Sequence, residues 1–165
     1  MARRRTRTRT PLGQRVLSFA LVACLLVAAG RTVQLAIAPG PWQRVLATRE
    51  GEIGKRTATG FVIAPDSMFV ALPHRMALHK HVELRYGTRV LVVPVLDVGP
   101  WNIDDDYWTG GGRPASERGR GYFRTPVNRA GIDLSDPVFA ALGLADNDVI
   151  EWRFVHQGYY ALPWL

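Results

Sequence analysis

Cysteine is nearly absent from this chain, which excludes two common ways of stabilising a small domain. The 165 residues include a single cysteine, Cys24. One cysteine can form neither a disulfide framework nor a cysteine-based zinc site. The sequence also lacks internal repeats and heptads, which excludes solenoids and coiled coils. Its 16 glycines and 11 prolines are too many turn-forming residues for a helix bundle.

Acidic residues are missing from the first 30 positions, and this absence accounts for most of the net charge of +7. That segment has six arginines, at positions 3, 4, 5, 7, 9 and 15, whereas residues 31–165 have 15 basic and 14 acidic side chains, a net charge of +1. The part of the chain that follows the arginines is therefore close to neutral. We expect no nucleic-acid partner, because such partners need a basic surface.

The arginine-rich start leads into an apolar run, Val16–Ala29, in which Ser18 is the only polar residue besides Cys24. A positive segment followed by a short apolar segment is typical of a signal peptide, whereas a bilayer span needs about 20 apolar residues. Residues 1–30 are therefore predicted to be a signal peptide or membrane anchor. The charge before the apolar run predicts export, to the periplasm, the cell wall or the outer face of the membrane.

Cys24 leaves the kind of anchor open. The preceding residues Leu21-Val22-Ala23 are similar to the lipidation site of bacterial lipoproteins, but apolar residues continue after the cysteine. The protein would contact the membrane through this segment if it stays uncleaved or if Cys24 is lipidated. The alternative is an inert apolar residue within the leader.

The rest of the chain has the pattern of a small β-rich domain behind a linker. Pro39-Gly40-Pro41 interrupts regular structure, so residues 31–50 are predicted to be a linker. Short apolar runs then alternate with turn residues. Val82–Arg85 and Arg89–Val93 predict a hairpin, and the alternation of Val149–Val155 predicts a half-buried strand.

One stretch predicts a helix, and one predicts a long loop. Asp136 can cap a helix, Pro137 suits its first position, and Gly143 can end it. Between Pro100 and Asn128 lies a long loop that contains three consecutive glycines. Loops of this length inside a compact domain are more often functional than not.

Four short motifs and a closing strand follow one another in a characteristic order. They are Gly54–Gly60 (with Thr-Ala-Thr-Gly), Ala71–Arg75 (Ala-Leu-Pro-His-Arg), Leu96–Pro100 (Leu-Asp-Val-Gly-Pro), Ile132–Gly143 (beginning Ile-Asp-Leu-Ser) and Val149–Val155. Together they resemble the rare-lipoprotein-A-like (RlpA-like) double-psi β-barrel domain, the fold shared with expansins and some lytic transglycosylases.

The resemblance covers about residues 51–156 and implies a fold. We expect an all-β, six-stranded double-psi β-barrel with one or two short helices, followed by a C-terminal tail at residues 157–165. The chain departs from the family in three places. One extra residue precedes His74, the segment Ala77–His81 replaces the usual Leu-Pro-x-Gly-Thr, and the loop at residues 101–128 is longer.

The resemblance also implies a function. We expect a protein that acts on cell-wall glycan and cleaves the β-1,4 glycan strands of peptidoglycan in the manner of a lytic transglycosylase. The alternative is a non-catalytic, expansin-like module that binds or loosens wall polysaccharide. Either version has peptidoglycan or another polysaccharide as its partner, and neither needs a cofactor.

Asp97 and His74 are the candidate catalytic residues. Asp97 ends an apolar run just before a Gly-Pro turn, where partial burial would raise its pKa towards that of a general acid. It could instead cap the backbone amides of its own turn. The resemblance implies that His74 assists Asp97, while a surface-loop histidine is the alternative. Asp133 could be a second carboxylate, which a hydrolase needs, or could satisfy backbone groups at the helix start.

Candidate substrate-binding residues lie in the long loop and just after it. Trp101, Tyr107 and Trp108 offer flat apolar faces on which sugar rings could stack, or they pin the loop to the barrel. Arg129 could meet carboxylates of peptidoglycan stem peptides or be solvated.

No metal site is expected. His79 and His81 lack a third ligand at a suitable spacing. Asp104, Asp105 and Asp106 are consecutive, whereas calcium loops place their ligands at alternate positions.

Overall fold

The computed structural model describes residues 38–122 and 127–156. Within these residues it has six strands and one short α-helix, which are β1 (Gln43–Glu50), β2 (Val70–Leu72), β3 (His81–Tyr86), β4 (Arg89–Val98), β5 (Ile132–Ser135), α1 (Asp136–Leu142) and β6 (Asp148–Phe154). Three 3₁₀ turns lie in the connections, at Arg75–Ala77, Thr109–Gly111 and Ala115–Arg118.

The six strands close into a barrel in the order β1-β5-β2-β4-β3-β6. The pairs β1/β5 and β2/β4 are parallel, and the other four neighbouring pairs are antiparallel. The same strands remain neighbours when β1 is exchanged with β4, β2 with β5, and β3 with β6. The two halves of the barrel are therefore related by a pseudo-twofold axis. The predicted six-stranded double-psi β-barrel is confirmed.

Alternating side chains build the interior of the barrel. Val45 and Ala47 of β1 are buried, as are Ile150, Trp152 and Phe154 of β6. Because successive side chains of a strand point to opposite faces, this alternation places one face of each strand in the core and leaves the other outside. Trp152 is the largest fully buried side chain among the described residues.

The predicted hairpin and helix are present. Strands β3 and β4 pair as far as Tyr86 and Arg89, which leaves Gly87 and Thr88 as a two-residue turn. Helix α1 ends at Gly143, whose φ of 76° favours glycine. The residue that precedes the helix as its cap is Ser135, so Asp136 lies in the first turn and is not the cap.

The prediction that residues 31–50 form a linker is wrong for their last eight positions. These residues are strand β1, which pairs with both β5 and β6. The break at Pro39-Gly40-Pro41 marks the start of the barrel, since the Gly40 N–H donates to the Phe154 carbonyl at 2.9 Å. The barrel therefore begins before residue 51.

The ends of the chain lie outside the described residues. This applies to the predicted leader at residues 1–30, to Cys24 and to the tail at residues 157–165. In the two described ranges, no helix is both long enough and apolar enough to cross a bilayer.

Candidate active site

The barrel brings the two predicted carboxylates into one row across four strands. Asp97 of β4 pairs with Ala71 of β2, Ala71 pairs with Asp133 of β5, and Asp133 pairs with Thr48 of β1. Residues paired in this way point to the same face of a sheet. A register shift between Val70 and Ala71 makes this possible, because it gives β4 one extra residue before Asp97.

Two small residues leave space for the carboxylates. Ala71, between the two aspartates, carries only a methyl group. A Cβ atom added at Gly99 would lie 3.4 Å from Asp133 Oδ2 and 3.8 Å from the Ala71 Cβ. A larger residue at either position would fill the gap over this row.

Backbone groups hold Asp97 in place. Its Oδ1 accepts the N–H of Ala58 at 2.9 Å and the N–H of Val98 at 2.7 Å. Ala58 is in turn held against β4, because the Thr59 hydroxyl donates to the Leu96 carbonyl at 3.0 Å. The Thr-Ala-Thr-Gly motif thus anchors Asp97. This contact is a physical reason why the motif occurs together with the Asp97 motif in the sequence pattern.

Asp133 is a buried carboxyl group. Its pKa is raised to about 7, chiefly by burial and also by the charge of Asp97, while a hydrogen bond from the Thr48 hydroxyl acts in the opposite direction. It lies opposite Thr48 and close to Asp97, and its role as a second carboxylate stays a prediction.

Sequence reasoning missed a third carboxyl group, that of Glu50. This residue ends β1, and its carboxyl group lies within electrostatic reach of Asp97. The pKa of Glu50 is raised to about 9, chiefly by burial and also by the negative charges of Asp97 and Asp133. The apolar run Val45-Leu46-Ala47 before a glycine turn could have predicted a strand that ends near Glu50. The assignment of residues 31–50 to a linker hid this signal.

The His74 ring has contacts with a backbone N–H and with an aromatic ring. Its Nδ1 accepts the N–H of Met76 at 3.0 Å, and its ring packs edge-on against Trp108 with 6.2 Å between centroids. In the described part of the chain, no hydrogen bond joins His74 to Asp97. These contacts give the ring a capping role, and its assistance to Asp97 stays a prediction.

The three aromatic residues proposed for stacking against sugar rings separate into two groups. Tyr107 and Trp108 are only 4% and 7% exposed and belong to the core. The Trp152 Nε1 donates to the Tyr107 hydroxyl, which donates to the Gly131 carbonyl. These contacts correspond to the alternative of a loop pinned to the barrel. Trp101 differs, because 37% of it is exposed.

Trp101 lies four residues after Asp97 and has polar and aromatic neighbours. Its Nε1 donates to Asn128 Oδ1 at 2.6 Å, and its carbonyl accepts the N–H of Tyr122 at 2.8 Å. The Tyr122 side chain is exposed, and so is Arg129, which follows Asn128. This segment therefore presents an aromatic surface with hydrogen-bonding groups beside it.

The other charged candidates have structural contacts or lie on the surface. Asp105 Oδ2 accepts the N–H of Ala115, which fastens the long loop on itself, and the backbone of Asp104 bridges to that of His74. His79 and His81 are exposed. Among the residues described, no group of three His, Cys, Asp or Glu side chains could hold a metal ion.

Comparisons with known proteins find a family profile and similar solved structures. Residues 41–120 match the family profile of a domain of unknown function (DUF8814). No curated protein matches the chain.

Two solved structures are similar in shape. One is a Streptomyces papain inhibitor, at 23% identity and a TM-score of 0.46, with 73% of this chain and 99% of that chain covered. The other is an expansin of Clavibacter michiganensis, at 17% identity and a TM-score of 0.44, with 69% of this chain covered. This chain spans only 50% of the expansin.

Proposed function

We propose that this barrel is an exported RlpA-like protein that acts on the glycan of the bacterial cell wall. The predicted leader at residues 1–30 supports export. The ordered motifs at residues 51–156 support the RlpA-like assignment. The carboxyl cluster on the outer face of the barrel, with Trp101 nearby, supports a polysaccharide as the ligand.

The reaction we propose is cleavage of a β-1,4 glycosidic bond by acid–base chemistry centred on Asp97. The observation that carries this proposal is the contrast between neighbouring carboxyl groups. Asp97 accepts two backbone hydrogen bonds, whereas the pKa values of Glu50 and Asp133 are raised by burial. Cleavage needs one group that holds a proton and one that stays charged, and such a contrast provides both.

Trp101 and Arg129 are the proposed substrate contacts. A partly exposed indole offers a flat face to a sugar ring. Arg129 is exposed near this ring, where its charge could pair with a carboxylate of a peptidoglycan stem. Tyr107 and Trp108 are left out of this surface, because their rings are buried.

A non-catalytic module that binds wall polysaccharide is the second candidate function. The observation that favours it is the position of His74, whose ring caps a 3₁₀ turn and packs on Trp108. A binding module needs the groove and its aromatic surface but no transferable proton. Assays for cutting and for binding separate the two functions.

The substitution Asp97→Asn tests cleavage. It keeps the size of the side chain and an oxygen that accepts the two N–H groups, but it removes the negative charge. We expect turnover to fall by roughly 10²–10⁴-fold, the range of general acid–base catalysis, while binding to glycan persists. The assay incubates the protein with purified, peptide-stripped glycan strands and identifies the products by mass spectrometry. Asp66→Asn, an exposed turn residue, is the matched control.

The products discriminate between the candidate functions. Anhydro ends indicate a lytic transglycosylase, and reducing ends indicate a hydrolase. A wild-type protein that binds the strands without cutting them would favour the binding module. A protein that neither cuts nor binds them would contradict both functions.

A further inference from the structure

Glu50 and Asp97 form a pair of carboxyl groups that needs a proton. The two carboxyl groups are near enough for each charge to act on the other, so a state in which both are ionised is disfavoured. The question is which residue holds this proton when the site is empty of substrate.

The surroundings of the two side chains answer it. Asp97 Oδ1 is fully engaged by the N–H groups of Ala58 and Val98, and these donors stabilise a negative charge at this residue. Glu50 has no comparable donor, and its Oε2 is buried without a hydrogen-bond partner. A charged, buried carboxylate without donors is costly, so the proton belongs on Glu50.

Charged groups that face Glu50 act in the same direction. They are Asp97 from β4, Asp133 from β5 and Glu52 from the connection after β1. All three are acidic. In the described ranges, no ion pair offers Glu50 a positive partner, and the nearby Lys55 is paired with Glu52.

We propose that Glu50 is the proton donor of this groove and that Asp97 is the carboxylate that orients it, a role that rests on the proposed cleavage of glycan. The motifs that suggested Asp97 do not include Glu50. The assignment comes from the closure of the barrel, which places the end of β1 in the same carboxyl cluster as Asp133 of β5 and Asp97 of β4.

The reaction balances without an external reactant. Glu50 gives its proton to the glycosidic oxygen as the C1–O bond breaks, and the electron pair of that bond stays on the leaving oxygen. The C6 hydroxyl of the same sugar then forms a bond to C1 and gives its proton to Glu50. The products are an anhydro-ended strand, a strand with a free hydroxyl and the original protonated Glu50. Asp97 remains charged throughout and offsets the positive charge that develops on the sugar.

The substitution Glu50→Gln tests this role. A glutamine keeps the size of the side chain and places a neutral polar amide in the cluster, but it cannot transfer a proton. We expect kcat on peptide-stripped glycan strands to fall by roughly 10²–10⁴-fold with little change in KM. Glu52→Gln is the matched control, because Glu52 is exposed and its charge has the weakest effect of those that act on Glu50, and we expect the variant to keep its activity.

A second measurement needs neither a variant nor an activity. The side-chain carboxyl carbons of glutamate are labelled selectively with ¹³C in the wild-type protein, and their NMR shifts are followed with pH. We expect one glutamate to remain protonated at about pH 8, because the pKa of Glu50 is raised to about 9, and Glu50→Gln to remove that resonance. Aspartates, including Asp133, do not contribute to this spectrum.

Three outcomes would overturn the assignment, and they differ from the failure of the proposed function. The first is a wild-type spectrum in which every glutamate has titrated by about pH 6. The second is a Glu50→Gln variant that cuts glycan as fast as the wild type. The third is a loss of activity in Glu52→Gln equal to that in Glu50→Gln. If the wild type cuts no glycan at all, the proposed function itself fails, and the role of Glu50 as donor to a glycan fails with it.

Discussion

At the scale of residues, the candidate site is a set of carboxyl groups made unequal by their surroundings. Asp97 has two backbone donors, Asp133 has one hydroxyl donor, and Glu50 has an oxygen with none. The three residue types are chemically almost identical, so the difference lies in burial and hydrogen bonding. Such differences let one cluster contain both a proton donor and a charged acceptor.

The raised pKa values predict a stability that falls as the pH rises. The pKa of Glu50 rises from 4.5 to about 9 on folding, and that of Asp133 rises from 3.8 to about 7. The folded protein therefore holds protons that the unfolded chain releases, and this contribution is complete below about pH 4. We expect the free energy of unfolding to fall most steeply between about pH 4.5 and 7, where both groups contribute. Between about pH 7 and 9 we expect a shallower fall that comes from Glu50 alone.

Chemical denaturation at a series of pH values checks this prediction. Each group contributes at most about 1.4 kcal/mol per pH unit to the slope. Glu50→Gln should remove the part of the slope between about pH 7 and 9, whereas Glu52→Gln should keep it. Identical slopes for the wild type and Glu50→Gln in that interval would contradict the burial of a protonated Glu50.

At the scale of elements, the long loop after β4 has two different ends. Its middle is pinned to the barrel by Tyr107 and Trp108, whose rings contact Trp152 edge-on. Trp101, which is four residues after Asp97 in the sequence, stays partly exposed. The same loop thus contributes to the core through some aromatic rings and to the surface through another.

Two tryptophan substitutions separate these roles. Trp108→Ala removes a core ring, so we expect a loss of about 3–5 kcal/mol in the free energy of unfolding. Trp101→Ala removes an exposed ring and one hydrogen bond, so we expect a loss of only about 1 kcal/mol but weaker retention on immobilised glycan strands. Denaturation and glycan pull-down of both variants test this pair of expectations. Equal retention of Trp101→Ala and wild type would exclude Trp101 as the sugar platform.

At the scale of the whole molecule, closure of the barrel depends on β1. This strand is the neighbour of both β5 and β6, so without it the sheet has two open edges. Trp42, just before β1, also lies between the guanidinium groups of Arg85 and Arg153, each 4.4 Å from its ring. The start of the domain is therefore tied to β6, the neighbour of β1, and to β3, the strand beyond it.

Two truncations test the position of the domain boundary. A fragment that begins at residue 51 lacks β1, and we expect it to remain unfolded. A fragment that begins at residue 38 keeps the whole barrel, and we expect a β-type circular dichroism spectrum with a cooperative thermal transition. A folded fragment from residue 51 would show that β1 is dispensable and that the sequence-based boundary was adequate.

Much of the fold was predictable from local signals. The hairpin at Gly87, the helix end at Gly143 and the closing strand at residues 148–154 all have turn residues or alternation that is visible in the sequence. The start of β1 was not predicted correctly. A Pro-Gly-Pro break is as typical of a linker as it is of the residues just before a strand, so it did not reveal the strand. Of the site, Asp97 and Asp133 were selected on motifs, and Glu50 was missed with its strand.

The sequence alone determined which segments become strands and which residue types carry chemistry, because alternation, turn residues and acidity are properties of neighbours along the chain. Only the tertiary structure decided which carboxyl groups meet. Glu50, Asp97 and Asp133 lie on three strands that are distant in sequence, and their contact depends on the barrel order and on one register shift in β4. The burial of Tyr107 and Trp108 was decided in the same way, since a loop ring becomes a core ring only when a cavity between distant strands receives it.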